Sequence, residues 1–191
     1  MTSSTGIVPL PSFHGLGSRA DGVSADGSVV VGQVEYEAGG PVAFRWTSAD
    51  GFSQPYCNAE ANSTSCFGRL NASGSPLVGA NSLALSATKL PANAFGFFLT
   101  SRDQGSTFPV NNSQGRLCLG GFIGRYVGPG QIKNSGAAGT FSLAIDLTSM
   151  PQPFGSAAVQ PGETWNFQAW HRDANPALTS NFTDAVSVMF Q

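Results

Sequence analysis

Short apolar runs alternate with turn residues along the chain, and most of these runs have the period-two pattern of β-strands. In residues 164–170, Trp165 and Phe167 fall on one face of such a strand, whereas Gln168 and Trp170 fall on the other. Because large apolar side chains occupy both faces, the strand requires a packed layer on one side and a partner or a special surface on the other. The segment therefore indicates a strand of a β-sandwich.

Seven further runs predict strands in the second part of the chain, with Gly, Pro, Asn and Ser between them. A weak helical pattern occurs only at 177–184. The fold class that follows is all-β, an antiparallel β-sandwich of the jelly-roll or immunoglobulin-like kind. The predicted strands are 77–78, 83–87, 95–99, 117–119, 122–127, 140–147 and 185–190.

The first part of the chain predicts a small N-terminal β-meander. Asp26-Gly27 precedes the apolar run 28–32, and Asp50-Gly51 follows the run 42–47. Gly accepts a positive φ without a Cβ clash, so Asp-Gly beside β-branched residues is typical of a turn between strands.

The β pattern is interrupted at Gln54-Pro55, which predicts a domain boundary there. We expect the meander over residues 1–55 and the sandwich over residues 56–191. The meander has too little apolar content to be stable alone, so its apolar face needs a neighbour, either the sandwich or a second subunit. We assign to that face Val29, Val31, Phe44 and Trp46.

The chain carries few charges. Charged residues make up 10% of its 191 residues, against about 25% in a usual soluble domain. Ser, Thr, Asn and Gly replace them, which is common in secreted β-proteins. With a net charge of −2 the chain lacks the clustered Lys and Arg that a nucleic-acid partner requires.

No apolar run reaches about 18 residues, so no membrane span is expected. The first residues have no signal-peptide pattern, and for an exported protein we expect this to be the mature form.

Three cysteines, Cys57, Cys66 and Cys118, permit one disulfide and one free thiol. A zinc site needs four ligands at close spacing, and neither histidine lies near a cysteine in the sequence. We therefore expect no metal and no other cofactor. A structural disulfide is expected instead, which favours an extracellular or cell-surface location.

Residues 22–32, Gly-Val-Ser-Ala-Asp-Gly-Ser-Val-Val-Val-Gly, are followed by Ala-Phe-Arg-Trp-Thr at 43–47. This pattern resembles one extracellular HAF repeat and covers about residues 8–52. Such repeats occur in tandem in secreted and autotransporter-like bacterial proteins. A lone repeat cannot bury its own faces, so propeller-like closure within this chain is excluded.

A second pattern consists of Tyr56-Cys57, Asn62-Ser63-Thr64, Ala-Phe-Gly-Phe-Phe at 94–98, Leu-Cys-Leu-Gly-Gly at 117–121, and the segments 134–139, 165–173 and 181–185. It resembles a secreted C-terminal domain of planctomycete and related bacterial proteins and covers about residues 56–191. The resemblance implies an exported β-sandwich at the end of larger proteins and implies no activity. It also implies a Cys57–Cys118 disulfide with Cys66 free. From the residues alone, a disulfide between Cys57 and Cys66, which would close a short polar loop, remains an alternative.

His171, Arg172 and Asp173 suggest catalysis, because a His beside a carboxylate can act as a general base. Residues 171 and 173 share a side only where the strand is regular, and no Gly-x-Ser-x-Gly elbow accompanies them. Arg172 and Asp173 are also typical of an ion pair that closes a turn at a strand end. We expect that second role and assign no catalytic residue.

The candidate ligand-binding residues are aromatic side chains and the histidine of the aromatic strand. Aromatic rings stack on sugars if two of them lie flat on one exposed sheet face, whereas in the core they only stabilise the fold. These candidates are Trp46, Trp170, Tyr126 and His171.

Three hypotheses for function follow from the sequence. The leading one is a non-catalytic extracellular module that is structural, adhesive or self-assembling, with a second copy added at the open strand edges to give an oligomer or a filament. The alternative is a carbohydrate-binding module with an exposed aromatic platform and a glycan as partner. The third is a secreted hydrolase centred on His171.

Overall fold

The computed structural model of the chain describes residues 17–23, 29–36, 40–47, 52–110, 112–174 and 177–191. The chain divides into two compact units, Met1–Gly51 and Phe52–Gln191. All described strand pairs are antiparallel, which confirms the predicted all-β class. In these ranges no helix has the length and apolar character needed to cross a membrane.

The first unit is a three-stranded meander. Its strands are β1 (Gly17–Val23), β2 (Val29–Tyr36) and β3 (Gly40–Thr47), hydrogen-bonded in the order β1-β2-β3. The meander predicted from the sequence is therefore confirmed. The expected Asp26-Gly27 and Asp50-Gly51 turns lie outside the described residues.

The register of β2 against β3 corrects the apolar face assigned from the sequence. Val30 lies opposite Trp46, and Gly32 lies opposite Phe44. Directly opposed positions share a face of the sheet, so positions 44 and 46 share a face with the even-numbered positions of β2. The assignment of Val29 and Val31 to the face of residues 44 and 46 was wrong, because sequence alone does not fix the register of two strands.

The second unit contains thirteen strands in its described ranges. Five of them form the continuous order β10-β7-β15-β16-β4 of a six-stranded sheet, and β11 also pairs with β7. A three-stranded sheet has the order β12-β6-β5, and β8-β9 and β13-β14 are separate pairs. The strands are β4 (Ser53–Cys57), β5 (Arg69–Ser73), β6 (Ala84–Thr88), β7 (Phe95–Ser101), β8 (Gln104–Thr107), β9 (Leu117–Leu119), β10 (Gly124–Arg125), β11 (Lys133–Asn134), β12 (Phe141–Ala144), β13 (Met150–Pro151), β14 (Ser156–Ala157), β15 (Thr164–Ala174) and β16 (Leu178–Met189).

The main core lies between the six-stranded sheet and the three-stranded sheet. Trp165 and Phe167 of β15 are fully buried there, as the period-two pattern predicted, and they belong to one cluster with Leu70 of β5 and Leu85 of β6. Two sheets that bury one face each against the other form a sandwich. The predicted sandwich-like fold is therefore confirmed.

Three local predictions differ from the structure. Residues 78–80 form one turn of 3-10 helix, Val78–Ala80, where a strand was predicted at 77–78. The weak helical pattern at 177–184 was wrong, because these residues belong to β16 and pair with β15. Pro55 does not end the β pattern but lies in β4, at the edge of the sheet, where a residue without an N–H is tolerated.

Candidate functional site

The candidate site is an apolar groove on the face of the six-stranded sheet that points away from the main core. Along β7, Phe98 belongs to the main core, whereas its neighbours Phe97 and Leu99 belong to a second apolar cluster. Adjacent strand residues point to opposite faces, so this second cluster lies on the outer face. The strand β15 contributes Trp170 to it.

The groove has a volume of about 210 Å³. Its floor comes from β7, β15 and β16, and its walls come from residues near β9 and β10. Cavities of this size are small for a drug-like ligand, which usually occupies about 300 Å³ or more. The lining residues are Phe97, Leu99, Val110, Leu117, Ile123, Arg125, Trp170 and Phe182.

The predicted binding residue Trp170 lies in this groove and is half-buried. It is directly opposite Phe97 in the β15–β7 register, and the two rings stack with their centroids 4.9 Å apart and their planes 29° apart. The guanidinium of Arg172 lies 5.8 Å from the Trp170 ring centroid. Cross-strand pairing thus builds an aromatic pair with a cation beside it.

The arginines at the groove differ from the other described arginine side chains in their pairing. Four arginines bind a carboxylate at 2.6–3.1 Å, and these are Arg19, Arg69, Arg102 and Arg116. Arg125, which lines the groove, and Arg172, beside Trp170, are exposed and form no ion pair with a carboxylate in the described ranges. The groove and the neighbourhood of Trp170 therefore carry positive charge that no carboxylate of the described residues pairs with.

The wall formed by β9 is held to the sheet by Gln168. The Gln168 side chain accepts a hydrogen bond from the Cys118 N–H at 2.9 Å and donates to the carbonyls of Arg116 at 2.9 Å and Thr183 at 2.8 Å. This amide is fully buried, and both its oxygen and its nitrogen have partners. Gln168 thus fixes the position of the groove wall relative to its floor.

A disulfide holds the same wall to the sheet edge. Cys57 of β4 is bonded to Cys118 of β9, with the two Cα atoms 6.3 Å apart, and the Tyr56 hydroxyl donates to the Cys118 carbonyl at 2.8 Å. Burial raises the pKa of Tyr56 above its ordinary value, so this hydroxyl keeps its proton. The predicted Cys57–Cys118 pair is confirmed, and Cys66 is an exposed free thiol. The local alternative Cys57–Cys66 is thereby excluded.

His171, the second predicted binding residue of this strand, points away from the groove and is fully buried. Its Nδ1 lies 3.0 Å from the Arg172 carbonyl, which requires the proton on Nδ1, and its Nε2 has no hydrogen-bond partner among the described residues. Burial lowers the pKa of His171, although the Arg172 carbonyl and the nearby Asp173 carboxylate oppose that shift. The side chain is therefore neutral in the fold near pH 7.

Asp173 does not form the turn-closing ion pair with Arg172 that the sequence suggested. Its two carboxylate oxygens lie 3.1 and 3.2 Å from the Ser63 N–H, and it also accepts from the Asn181 amide and the Ala174 N–H. Burial raises the pKa of Asp173, but these hydrogen bonds outweigh it and lower the pKa below its ordinary value. Asp173 therefore anchors the 62–64 turn to the end of the strand pair.

Asp184 connects the two sheets at a β-bulge. Its carboxylate accepts from the Leu70 N–H at 2.6 Å and from the Arg69 guanidinium at 3.0 Å. Thr183 beside it accepts from the Ala169 N–H at 3.0 Å through its hydroxyl oxygen, which replaces a ladder bond that the bulge interrupts. Burial raises the pKa of Asp184, against the lowering effect of Leu70 and Arg69.

Of the two remaining predicted residues, Tyr126 does not line the groove. Tyr126 is only 3% exposed, lies in the main core and donates its hydroxyl hydrogen to the Met150 Sδ at 3.3 Å. Trp46 lies in β3, and its side chain is outside the described part of the structure. No group of three or more His, Cys, Asp or Glu side chains in the described ranges is arranged to hold a metal ion.

Sequence reasoning missed Phe97 and Arg125 as site residues. Phe97 follows Gly96 in a run with phenylalanines at 95, 97 and 98, so apolar side chains fall on both faces of the predicted strand. That pattern, which also singled out Trp170, was the available signal for a second apolar face. Nothing in the sequence places Arg125 in the same groove as Trp170, because the two are brought to one sheet face only by the pairing of β10 and β15 with β7.

A scan against protein-family models, a search of curated proteins and a search of solved structures each found no match. The resemblances to a HAF repeat and to the planctomycete-type secreted domain therefore stay predictions.

Proposed function

We propose that this chain is a non-catalytic extracellular binding module whose contact site is the outer groove. The observation that carries this proposal is the half-buried Trp170–Phe97 stack, which lines a cavity of about 210 Å³ together with Arg125, an arginine without an ion-pair partner among the described residues. A partly exposed apolar cavity with few polar groups is the usual form of a ligand site.

The role of the polar residues in the 165–173 strand supports a binding function over catalysis. Gln168 and Asp173 are buried, and each is hydrogen-bonded to backbone groups of other segments. Their hydrogen-bonding capacity is used to hold the fold. His171 is oriented by a backbone carbonyl and lies on the face opposite Trp170, so these two residues do not act on one ligand.

An extracellular location is supported by the disulfide and by the sparse charge. Structural disulfides persist in oxidising compartments and are rare in the cytosol. The Cys57–Cys118 bond joins strands 61 positions apart, and charged residues make up only 10% of the sequence.

The proposal is tested by fluorine NMR of protein labelled with 5-fluorotryptophan. The chain has three tryptophans, and Trp165 is fully buried in the main core, so its resonance is an internal reference. A panel of small aromatic and aliphatic compounds and soluble glycans should contain ligands that shift the Trp170 resonance and leave that of Trp165 in place. Trp170→Phe assigns the resonance.

Val110→Phe is the matched control for this experiment, because it adds apolar volume to the half-buried groove wall without removing a polar contact. It should abolish the ligand-induced shift while the free energy of unfolding stays close to that of the unmodified chain. If no compound moves the Trp170 resonance, or if Val110→Phe responds equally, the groove is not the binding site.

Self-assembly through the meander is the second candidate function. Among the described strands, β1 and β3 each pair on one side only, and Val23 and Val42 on them are exposed. Open strand edges with apolar side chains template the addition of further strands. Size-exclusion chromatography with light scattering at increasing concentration tests this. Dimers or larger species support it, and a monomer at all concentrations contradicts it.

A further inference from the structure

We propose that the outer groove binds a small carboxylate whose body is a single ring or a short alkyl chain. This inference rests on the proposed function and specifies the chemical class of the ligand. Its basis is the combination of cavity size, an apolar lining and polar side chains that can only donate hydrogen bonds.

The size of the groove limits the ligand to about one ring and a short linker. An apolar protein cavity of about 150 Å³ is sufficient to bind benzene. The groove has a volume of about 210 Å³, which leaves room for two or three further heavy atoms beside one ring. The stacked Phe97 and Trp170 rings give the ligand body an aromatic wall.

The polar groups of the lining determine the polarity of the ligand. Among the described lining residues, Arg125 and Trp170 carry the only side-chain nitrogen atoms, and both the guanidinium and the indole N–H are donors without acceptor capacity. A sugar hydroxyl both donates and accepts, and the hydroxyl donors of a sugar would find no side-chain acceptor among the described lining residues, at a cost in affinity. A carboxylate only accepts, and it matches this lining.

Charge complementarity favours the same ligand. Among the described residues, no carboxylate lines the groove, and neither Arg125 in its lining nor Arg172 beside Trp170 has an ion-pair partner. The planar guanidinium of arginine binds a carboxylate through two parallel hydrogen bonds, which a lysine cannot do. The ligand body therefore enters the groove with its carboxylate at the mouth, near Arg125.

Isothermal titration calorimetry with 3-phenylpropionate and 3-phenylpropionamide tests the proposal, since the two compounds have the same shape and differ in charge. The carboxylate should bind about tenfold or more tightly than the amide, because a hydrogen bond to a charged group contributes more than a neutral one. Acetate, which has the charge without the ring, should show no measurable binding.

Arg125→Gln should weaken binding of the carboxylate by far more than binding of the amide, and so remove most of the preference for the carboxylate. Lys89→Gln removes the same charge from an exposed position after β6 in the other sheet, and it should keep the full preference. Equal affinity for the carboxylate and the amide, or equal loss in both variants, would overturn the inference.

The remaining outcomes separate this inference from the function on which it rests. If the amide binds and moves the Trp170 fluorine resonance as strongly as the carboxylate, the groove is a binding site and only its anion preference is wrong. If no compound moves that resonance, the proposed function itself fails. Tighter binding of the peptide Gly-Gly-Phe than of the free acid would overturn the assignment to a small molecule.

Discussion

Replacing the buried Gln168 with leucine should destabilise the fold more than any other single change of a glutamine in the described ranges. The substitution keeps a side chain of similar size but removes the amide that joins β9 to β15 and β16. The N–H of Cys118 and the carbonyl of Thr183 would then be buried without a partner. The carbonyl of Arg116 would lose its bond in a partly exposed position.

The magnitude follows from the number of buried groups left without a partner. Each costs about 1–3 kcal/mol, so the two fully buried groups predict a loss of about 2–6 kcal/mol in the free energy of unfolding. Gln168→Glu retains the acceptor oxygen for the Cys118 N–H and loses both donated bonds. It also brings a carboxylate toward two carbonyl oxygens, so it should be destabilising as well.

Urea denaturation followed by tryptophan fluorescence and circular dichroism measures this change, with the free energy taken from linear extrapolation. Gln160→Leu is the matched control, because Gln160 is exposed and its side chain donates no bond to the core. That control should change the free energy of unfolding by less than about 0.5 kcal/mol. If Gln168→Leu lowers the free energy of unfolding by less than about 1 kcal/mol, this amide does not hold β9 to the sheet as inferred.

Two further changes test the disulfide and the buried histidine. Cys57→Ser opens a loop that the disulfide closes over 61 residues, and it should lower the free energy of unfolding by about 4 kcal/mol. Cys66→Ser, at the exposed free thiol, is the control and should change the free energy of unfolding little. Equal effects of the two substitutions in urea denaturation would contradict this prediction. Because burial lowers the pKa of His171, the unfolded chain takes up the proton first as the pH falls below the ordinary value of 6.5. The free energy of unfolding therefore keeps its full value above that pH. Below it, the free energy of unfolding decreases by at most about 1.4 kcal/mol per pH unit, until His171 of the folded chain also takes up a proton. Denaturation between pH 7.5 and 5 should show this slope in the unmodified chain and in His14→Gln, and a slope that persists in His171→Gln would contradict the assignment.

The features that depend on local pattern were predictable from the sequence. The alternation of Trp165 and Phe167 with Gln168 and Trp170 identified β15, which is the second longest of the described strands. The same pattern predicted that this strand has an apolar side chain on each face of its sheet. The same alternation places His171 inward with Trp165, as the structure shows. Successive side chains of a strand point to opposite faces, so a period-two pattern predicts which face each residue occupies.

The features that depend on pairing between distant segments were not predictable. The wrong helical pattern at 177–184 was overridden by pairing with β15, and the bulge at Thr183 has no local signature. The groove joins Phe97 to Trp170 across 73 positions of sequence, since β7 and β15 are neighbours in the sheet. Register and strand order depend on the tertiary structure. The sequence therefore predicted Trp170 as a candidate binding residue, whereas the groove around it was found only in the structure.

The binding site in the groove is tested most directly by the position of 3-phenylpropionate on the protein, measured by intermolecular nuclear Overhauser effects to methyl groups. Selective labelling of Val, Leu and Ile methyls makes Val110, Leu117 and Ile123 of the groove observable. If the groove binds this carboxylate, the ligand ring should contact these methyls and the Arg125 side chain should show a chemical-shift change. Contacts confined to methyls outside the groove, or saturable binding that leaves all three methyls unchanged, would contradict it.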